Sequence, residues 1–164
     1  MIKDQIQIIG LRPMDVFPDT VIIRSVKEKS KKCSVLPLKG KPGIILMNYP
    51  FKKTLSLPNY IRLSAEGPPL SLADNDKGIL LLDGSWRNAG NMERHFESIP
   101  PRSLSQYKTA YPRSSKHGTD PENGLASIEA LYVAYFILNR NPIGLLDHYH
   151  WKKEFLELNN FPAS

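Results

Sequence analysis

Apolar positions come in short unbroken runs through the first half of this chain and in longer stretches through the second, and the two patterns predict different elements. DTVIIRSV (19–26) and GIILMNYP (43–50) are runs rich in β-branched residues and bounded by turn formers, so both read as strands. NYIRLSA (59–65) alternates loosely and reads as another. GILLLD (78–83) is apolar on both faces, as the centre of a parallel sheet covered by helices must be. Beyond it Ser85 is a suitable N-cap, and Trp86, Ala89, Met92 and Phe96 fall on one stripe, which predicts a helix over 85–97. PPRSLSQY (100–107) predicts a short strand entering a loop. The polar segment 109–124, broken by glycine and proline, reads as a long loop of the kind that carries function. LASIEALYVAYFIL (125–138) is apolar almost all round and predicts a buried helix. PIGLLDHYHWKKEFLELNN (142–160) predicts an amphipathic closing helix opened by Pro142.

Strands alternating with helices over 164 residues predict one α/β domain, residues 1–164, with a mainly parallel sheet flanked by helices. Hydrophobic content of 41% and charged content of 23% suit a globular chain. No apolar run approaches the roughly 20 residues that cross a bilayer, and the N-terminus lacks the apolar core and cleavage site of a signal peptide. The single cysteine, Cys33, excludes an intramolecular disulfide framework and a multi-cysteine zinc site. A cytoplasmic protein without a membrane partner is the expectation.

Charge adds a partner class. The formal net charge is +6, and Arg24, Lys27, Lys29, Lys31, Lys32, Lys39, Lys41, Lys52 and Lys53 are opposed within their span only by Glu28. Such clustering suits a polyanion such as RNA, and equally a solvated surface. In the loop, Arg113, Lys116 and His117 extend the basic set, as do Arg87 and Arg94 on the helix predicted over 85–97. Tyr107 and Tyr111 offer rings for an unpaired base.

The candidate chemistry lies where GILLLD ends. Ligands of open α/β sheets sit outside the carboxyl ends of the strands, and Asp83-Gly84-Ser85-Trp86 falls at such an end. The alternative is a plain strand-to-helix turn in which Asp83 or Ser85 caps and Trp86 packs. Glu129 is the only charge between Leu125 and Leu138, so if buried it must be paired or hydrogen-bonded. No metal site is indicated, because His148 and His150 are two apart and face different ways on a helix. A Walker-type phosphate loop and G-x-G-x-x-G are both missing.

These residues also resemble a known family. Asp83-Gly84-Ser85-Trp86, followed by Arg87 and Ala89, is similar to the Asp-Gly-Thr-Trp segment that names the DTW-domain proteins, with serine in place of threonine. Val26-Lys27-Glu28 with Lys32-Cys33-Ser34 resembles the family's His-Pro-Lys-Glu and Ser/Thr segment without the His-Pro, and Leu125 to Ala130 resembles its Leu-Ser-Thr-hydrophobic-Glu-Ala helix start. The resemblance covers residues 20 to 140. It implies a SPOUT-like fold with a C-terminal trefoil knot. It also implies transfer of the 3-amino-3-carboxypropyl group of S-adenosylmethionine to RNA, with uridine N3 in tRNA as the expected target and a (pseudo)uridine of ribosomal RNA as the alternative.

On that reading Asp83 and Trp86 are catalytic, Asp83 as base or as anchor and Trp86 against the sulfonium or in the core. Ser34, Asp83, Ser85, Trp86, Ala126, Ser127 and Glu129 would line the cofactor site, with Glu129 shaping it. Arg87, Arg113, Lys116, Lys31 and Lys32 would contact RNA, and no metal is required. The N-terminal cysteine cluster of tRNA members is missing, and Lys32-Cys33-Ser34 is closer to the ribosomal RNA branch. A methyltransferase using the same cofactor and a non-catalytic RNA-binding or ribosome-assembly protein are the competing readings. The oligomeric state stays open.

Overall fold

The computed structural model describes residues 6–8, 17–27, 34–51, 54–84, 86–112 and 124–163. In chain order the elements are β1 (Ile6–Ile8), β2 (Thr20–Ser25), β3 (Ile44–Tyr49), β4 (Thr54–Ser56), β5 (Tyr60–Leu63), β6 (Gly78–Asp83), α1 (Trp86–Glu93), β7 (Pro101–Arg102), α2 (Ser127–Ile137) and α3 (Lys152–Leu158). Five strands form one sheet in the order β3-β2-β6-β5-β7, every pair parallel. β1 and β4 form a separate parallel pair that the apolar pattern does not foretell.

The strand apolar on both faces is central, as its composition requires. β6 lies between β2 and β5 and its six residues are all buried. Alternate residues of β2 and β6 serve two cores. Ile22, Ile79 and Leu81 pack with Ile128, Leu131 and Tyr132 of α2 and with Phe155 and Leu156 of α3. Val21, Ile23, Leu80 and Leu82 pack with Met92 of α1 and with Phe96 beyond it. By that alternation Arg24 of β2 and Asp83 of β6 belong to the α2 face. They are register partners, and each is buried.

Where β6 begins, glycine is required by packing. A Cβ on Gly78 would stand 2.5 Å from the ring of Tyr60, which lies across it. The Tyr60 hydroxyl donates to the carbonyl of Asp19 at 2.5 Å, so the ring is fixed at both ends. Burial, first, and the charge of Asp19 raise its pKa well above the ordinary phenol value.

Two predicted helices are shorter than the pattern suggests. The first ends at Glu93, and Phe96 reaches the core from the turn that follows. The closing helix starts at Lys152, not at Pro142. The difference has a local cause: Gly144 has φ +89°, a left-handed backbone that ends any helix begun at Pro142. Turns carry the chain from there to Trp151, still burying Leu145, Leu146 and Tyr149. The strand predicted near 100–107 is reduced to Pro101–Arg102. Among the described residues, no helix is long and apolar enough to cross a membrane.

Candidate functional site

Strand order locates the site. From β2 the chain crosses to β3 on one side, and from β6 it crosses through α1 to β7 on the other. The crevice outside the carboxyl ends of β2 and β6 is therefore the topological switch point, the place where open α/β sheets hold ligands. Asp83 closes β6 there, beside Arg24 of β2. In the next register, Arg24 is opposite Asn48 of β3, which is exposed.

The start of α2 completes this end of the sheet. Ser127 Oγ donates to Asp83 Oδ1 at 2.5 Å, joining residues 44 apart in sequence. Ala126 at the N-cap has no side-chain acceptor for the first-turn N–H groups. Ser34 takes over that task from 94 residues away: its Oγ accepts from Ile128 N at 3.3 Å. Ser34 thus ties the segment after β2 to the helix that faces Asp83. The predicted Ser34, Asp83, Ala126 and Ser127 are brought together.

Glu129 is the most enclosed polar residue of the group, with no exposed surface. Its Oε1 accepts from Thr109 Oγ1 at 2.6 Å and from Ala126 N at 2.8 Å. Its Oε2 accepts from Ala110 N at 2.8 Å and from the Tyr149 hydroxyl at 2.9 Å. One carboxylate therefore fastens the 109–110 segment, the entry of α2 and the turn before α3. A buried charge persists when its lone pairs are satisfied in this way. Glu129 holds the site's frame and is turned to protein donors.

Arg24, which composition groups with the surface lysines, is a further functional candidate. It is 6% exposed, among the α2-facing residues, and not part of a surface patch. The signal was present: a lone arginine inside VIIRSV raises the same question as a lone glutamate inside α2. The rest of the basic cluster is also heterogeneous. Lys27 and Lys39 are exposed, whereas Lys41 Nζ donates to the carbonyl of Gly144 at 3.3 Å. Tyr107 does not present a bare ring, because it stacks on Phe161 with centroids 5.5 Å apart. Tyr111 meets Trp151 edge-on at 5.1 Å.

Several predicted positions lie outside the described residues: Lys31, Lys32, Cys33, Ser85, Arg113, Lys116 and His117. Trp86 and Arg87 open α1, and their side chains lie outside as well. A groove of about 550 Å³ runs between Leu55–Tyr60 and His95–Pro100 on the α1 side, and none of the predicted site residues lines it. Among the described residues no group of three or more His, Cys, Asp or Glu could hold a metal ion.

No protein-family model matches the chain, and no curated protein matches it in sequence. A solved structure does match: that of the SAM-dependent rRNA:acp-transferase Tsr3 from Vulcanisaeta distributa, with a TM-score of 0.64 and 23% identity. The likeness covers 87% of this chain and 79% of that one, and it is a likeness of fold. The mainly parallel α/β architecture with flanking helices is thus shared with an enzyme described as acting on ribosomal RNA.

Proposed function

We propose that this chain is an S-adenosylmethionine-dependent 3-amino-3-carboxypropyltransferase acting on RNA. The observation that carries the reading is the convergence of Asp83, Ser127 and Arg24 at the switch point, on a fold that Tsr3 shares. The residues suit the donor. The first turn of α2 directs N–H groups and the positive end of its dipole toward that crevice, where a methionine carboxylate would be held. The Asp83 carboxylate is oriented by Ser127, beside the buried Arg24 of β2.

Bound there, the sulfonium supplies an activated γ-carbon: the carbon–sulfur bond breaks with its electron pair going to sulfur as a uridine N3–carbon bond forms. The protein must align that nitrogen with the departing sulfur and receive the N3 proton. Asp83 is the acceptor in this proposal, directly or through a water, with Ser127 holding the carboxylate in one orientation. Trp86, which opens α1 next to Asp83, is assigned the sulfonium contact, a cation–π interaction worth about 0.5–2 kcal/mol. Ser85, one residue before it, belongs with the methionine-binding turn.

Ribosomal RNA is the favoured substrate over tRNA, since both the Lys32-Cys33-Ser34 segment and the fold neighbour point that way. Lys31, Lys32, Arg87, Arg113 and Lys116 are assigned to its backbone. A SPOUT-like topology with a C-terminal trefoil knot, a single catalytic domain and a cytoplasmic location belong to the same proposal.

Titration calorimetry with S-adenosylmethionine, followed by chromatography of the nucleoside product, tests it. Methylthioadenosine supports the transfer, S-adenosylhomocysteine makes the protein a methyltransferase, and no binding makes it a non-catalytic RNA-binding protein. Asp83→Asn is expected to keep donor affinity and lose transfer by at least about a hundredfold. Equal loss of both would make Asp83 an anchor. Nucleoside mass spectrometry of separated ribosomal RNA and tRNA from a gene deletion then identifies the substrate.

A further inference from the structure

The segment Asp147-His148-Tyr149-His150-Trp151-Lys152-Lys153 interleaves aromatic and basic residues; Tyr149 and Trp151 lean on the α2 core, and the proposed chemistry leaves the rest of the segment unused. Its rings are gathered. The Trp151 indole is 4.7 Å from His150, 5.1 Å from Tyr111 and 5.9 Å from Tyr149, centroid to centroid, each pair edge-on. Edge-on neighbours on three sides fix the orientation of the indole. Trp151 and Tyr111 are only half-buried, and His150 and Lys153 are exposed.

This cluster is built onto the candidate site. The Tyr149 hydroxyl and Ala110 N, the residue before Tyr111, both donate to Glu129 Oε2. Glu129 is in the first turn of α2, two residues beyond the Ser127 that holds Asp83. The rings are therefore anchored to the entry of α2. Lys152 pairs with Asp147 at 3.7 Å across an exposed surface, a contact weak enough to be exchanged for a phosphate. Lys153 extends into solvent beside it.

We propose that Trp151, with Tyr111 and His150, is a stacking platform for an unpaired base of the RNA substrate, and that Lys152 and Lys153 contact the phosphates on either side. Aromatic faces flanked by cations are how proteins hold single-stranded RNA without reading its sequence. The net charge of +6 is complementary to that occupant. The platform rests on the RNA substrate proposed above and names the surface that receives it.

Fluorescence anisotropy with a labelled oligouridylate of about ten nucleotides tests it directly. Trp151→Ala is expected to weaken binding about tenfold at constant salt, with Trp151→Phe retaining most of the affinity. Lys153→Ala is expected to lower the slope of affinity against salt by about one. Should Trp151→Ala fail to fold, the exposed pair His150→Ala and Lys153→Ala carries the test, with a loss of about fivefold expected. Wild-type affinity and salt slope in a cooperatively melting variant, or no oligonucleotide binding by the wild type, overturns the platform. Methylthioadenosine formation is assayed separately on the wild type with donor and RNA. Its absence, while Trp151→Ala still loses the oligonucleotide, defeats the transferase and leaves the platform standing. Its presence with unaltered Trp151 variants defeats the platform alone.

Discussion

At the C-terminal end of α2, Arg140 lies over the ring of Phe17 at 3.7 Å and donates to the carbonyls of Asn75 and Lys77. Near it Tyr135 shares a 2.6 Å hydrogen bond with Thr20, and Tyr60 donates to Asp19 O. At the N-terminal end, Ser127 donates to Asp83, Ile128 N donates to Ser34, and four donors converge on Glu129. The helix is the same and the burial is similar, yet the partners differ. At the C-terminal end the side-chain groups bond mostly to main-chain carbonyls and to hydroxyls, which fastens the start of β2 and the turn before β6 to the helix. At the other end Asp83 stands beside Arg24 with Ser127 holding it, and Glu129 gathers donors from three separate segments. Charge is expensive to bury, so a fold that keeps three charged groups at one end of a helix has set that end apart. The C-terminal end is a lock, and the N-terminal end is a site with a frame around it.

The largest expected effect tests the frame. Glu129→Ala leaves the Thr109 and Tyr149 hydroxyls and the N–H groups of Ala110 and Ala126 facing a void. The expected loss in urea denaturation is about 3–5 kcal/mol, with Glu129→Gln losing less because it keeps one acceptor oxygen. Arg140→Met, at the opposite end, gives up the ring contact and two carbonyl partners but also relieves a buried charge. Burial already lowers that guanidinium to about 10, against the opposing influence of Tyr135, Tyr60 and Asp76. About 2 kcal/mol is the expected loss, with donor affinity by calorimetry unchanged. If Arg140→Met altered donor affinity while Glu129→Gln did not, the distinction between the two ends would be reversed.

What was readable in the sequence follows the range of the interactions. β2, β3, β5 and β6 were legible because each is a local apolar run, and α2 because a turn-free apolar stretch of that length has few other uses. The order β3-β2-β6-β5-β7 was not, since parallel neighbours are chosen by crossovers that leave no local mark. The apolar pattern overextends the closing helix because Gly144 can sit in a helix in principle, and only its left-handed φ shows that it does not. In the site, Asp83, Ser34, Ser127 and Glu129 were visible one by one as polar residues in telling places. Their pairing spans 44 residues for Asp83 and Ser127 and 94 for Ser34 and Ile128, and only the fold reveals it. Arg24 was lost among lysines because composition counts charges without asking which face of a strand they take.

A smaller effect separates support from function within the site itself. Ser127→Ala removes one hydroxyl from Asp83 and is expected to change stability by about 1 kcal/mol or less. Its effect on transfer should be greater than its effect on folding, with kcat reduced about tenfold because the carboxylate is no longer held in one orientation. A variant that loses stability but turns over normally would place Ser127 with the frame, beside Glu129.

The smallest expected effect belongs to the lock and is read in alkali. Burial raises the pKa of Tyr60, Tyr132 and Tyr135 above the ordinary phenol value of 10.0, and Asp19 adds to the rise at Tyr60 and Tyr135. A raised folded pKa means the native protein holds these protons after the unfolded chain has lost them. Their contribution to stability is thus complete below pH 10 and declines as pH climbs through the folded values. Arg140 acts in the opposite sense, since its lowered pKa makes the unfolded chain the better proton binder above about pH 10. With three phenols against one guanidinium, net stability should fall above pH 10. Phenolate absorbance should then show Tyr60, Tyr132 and Tyr135 ionising above pH 10 while the circular dichroism is still native. Tyr60→Phe should delete the latest of them. Tyr60, Tyr132 and Tyr135 titrating near pH 10 in a folded chain would mean that the Tyr60 and Tyr135 hydroxyls are open to water and that the C-terminal end of α2 is no lock.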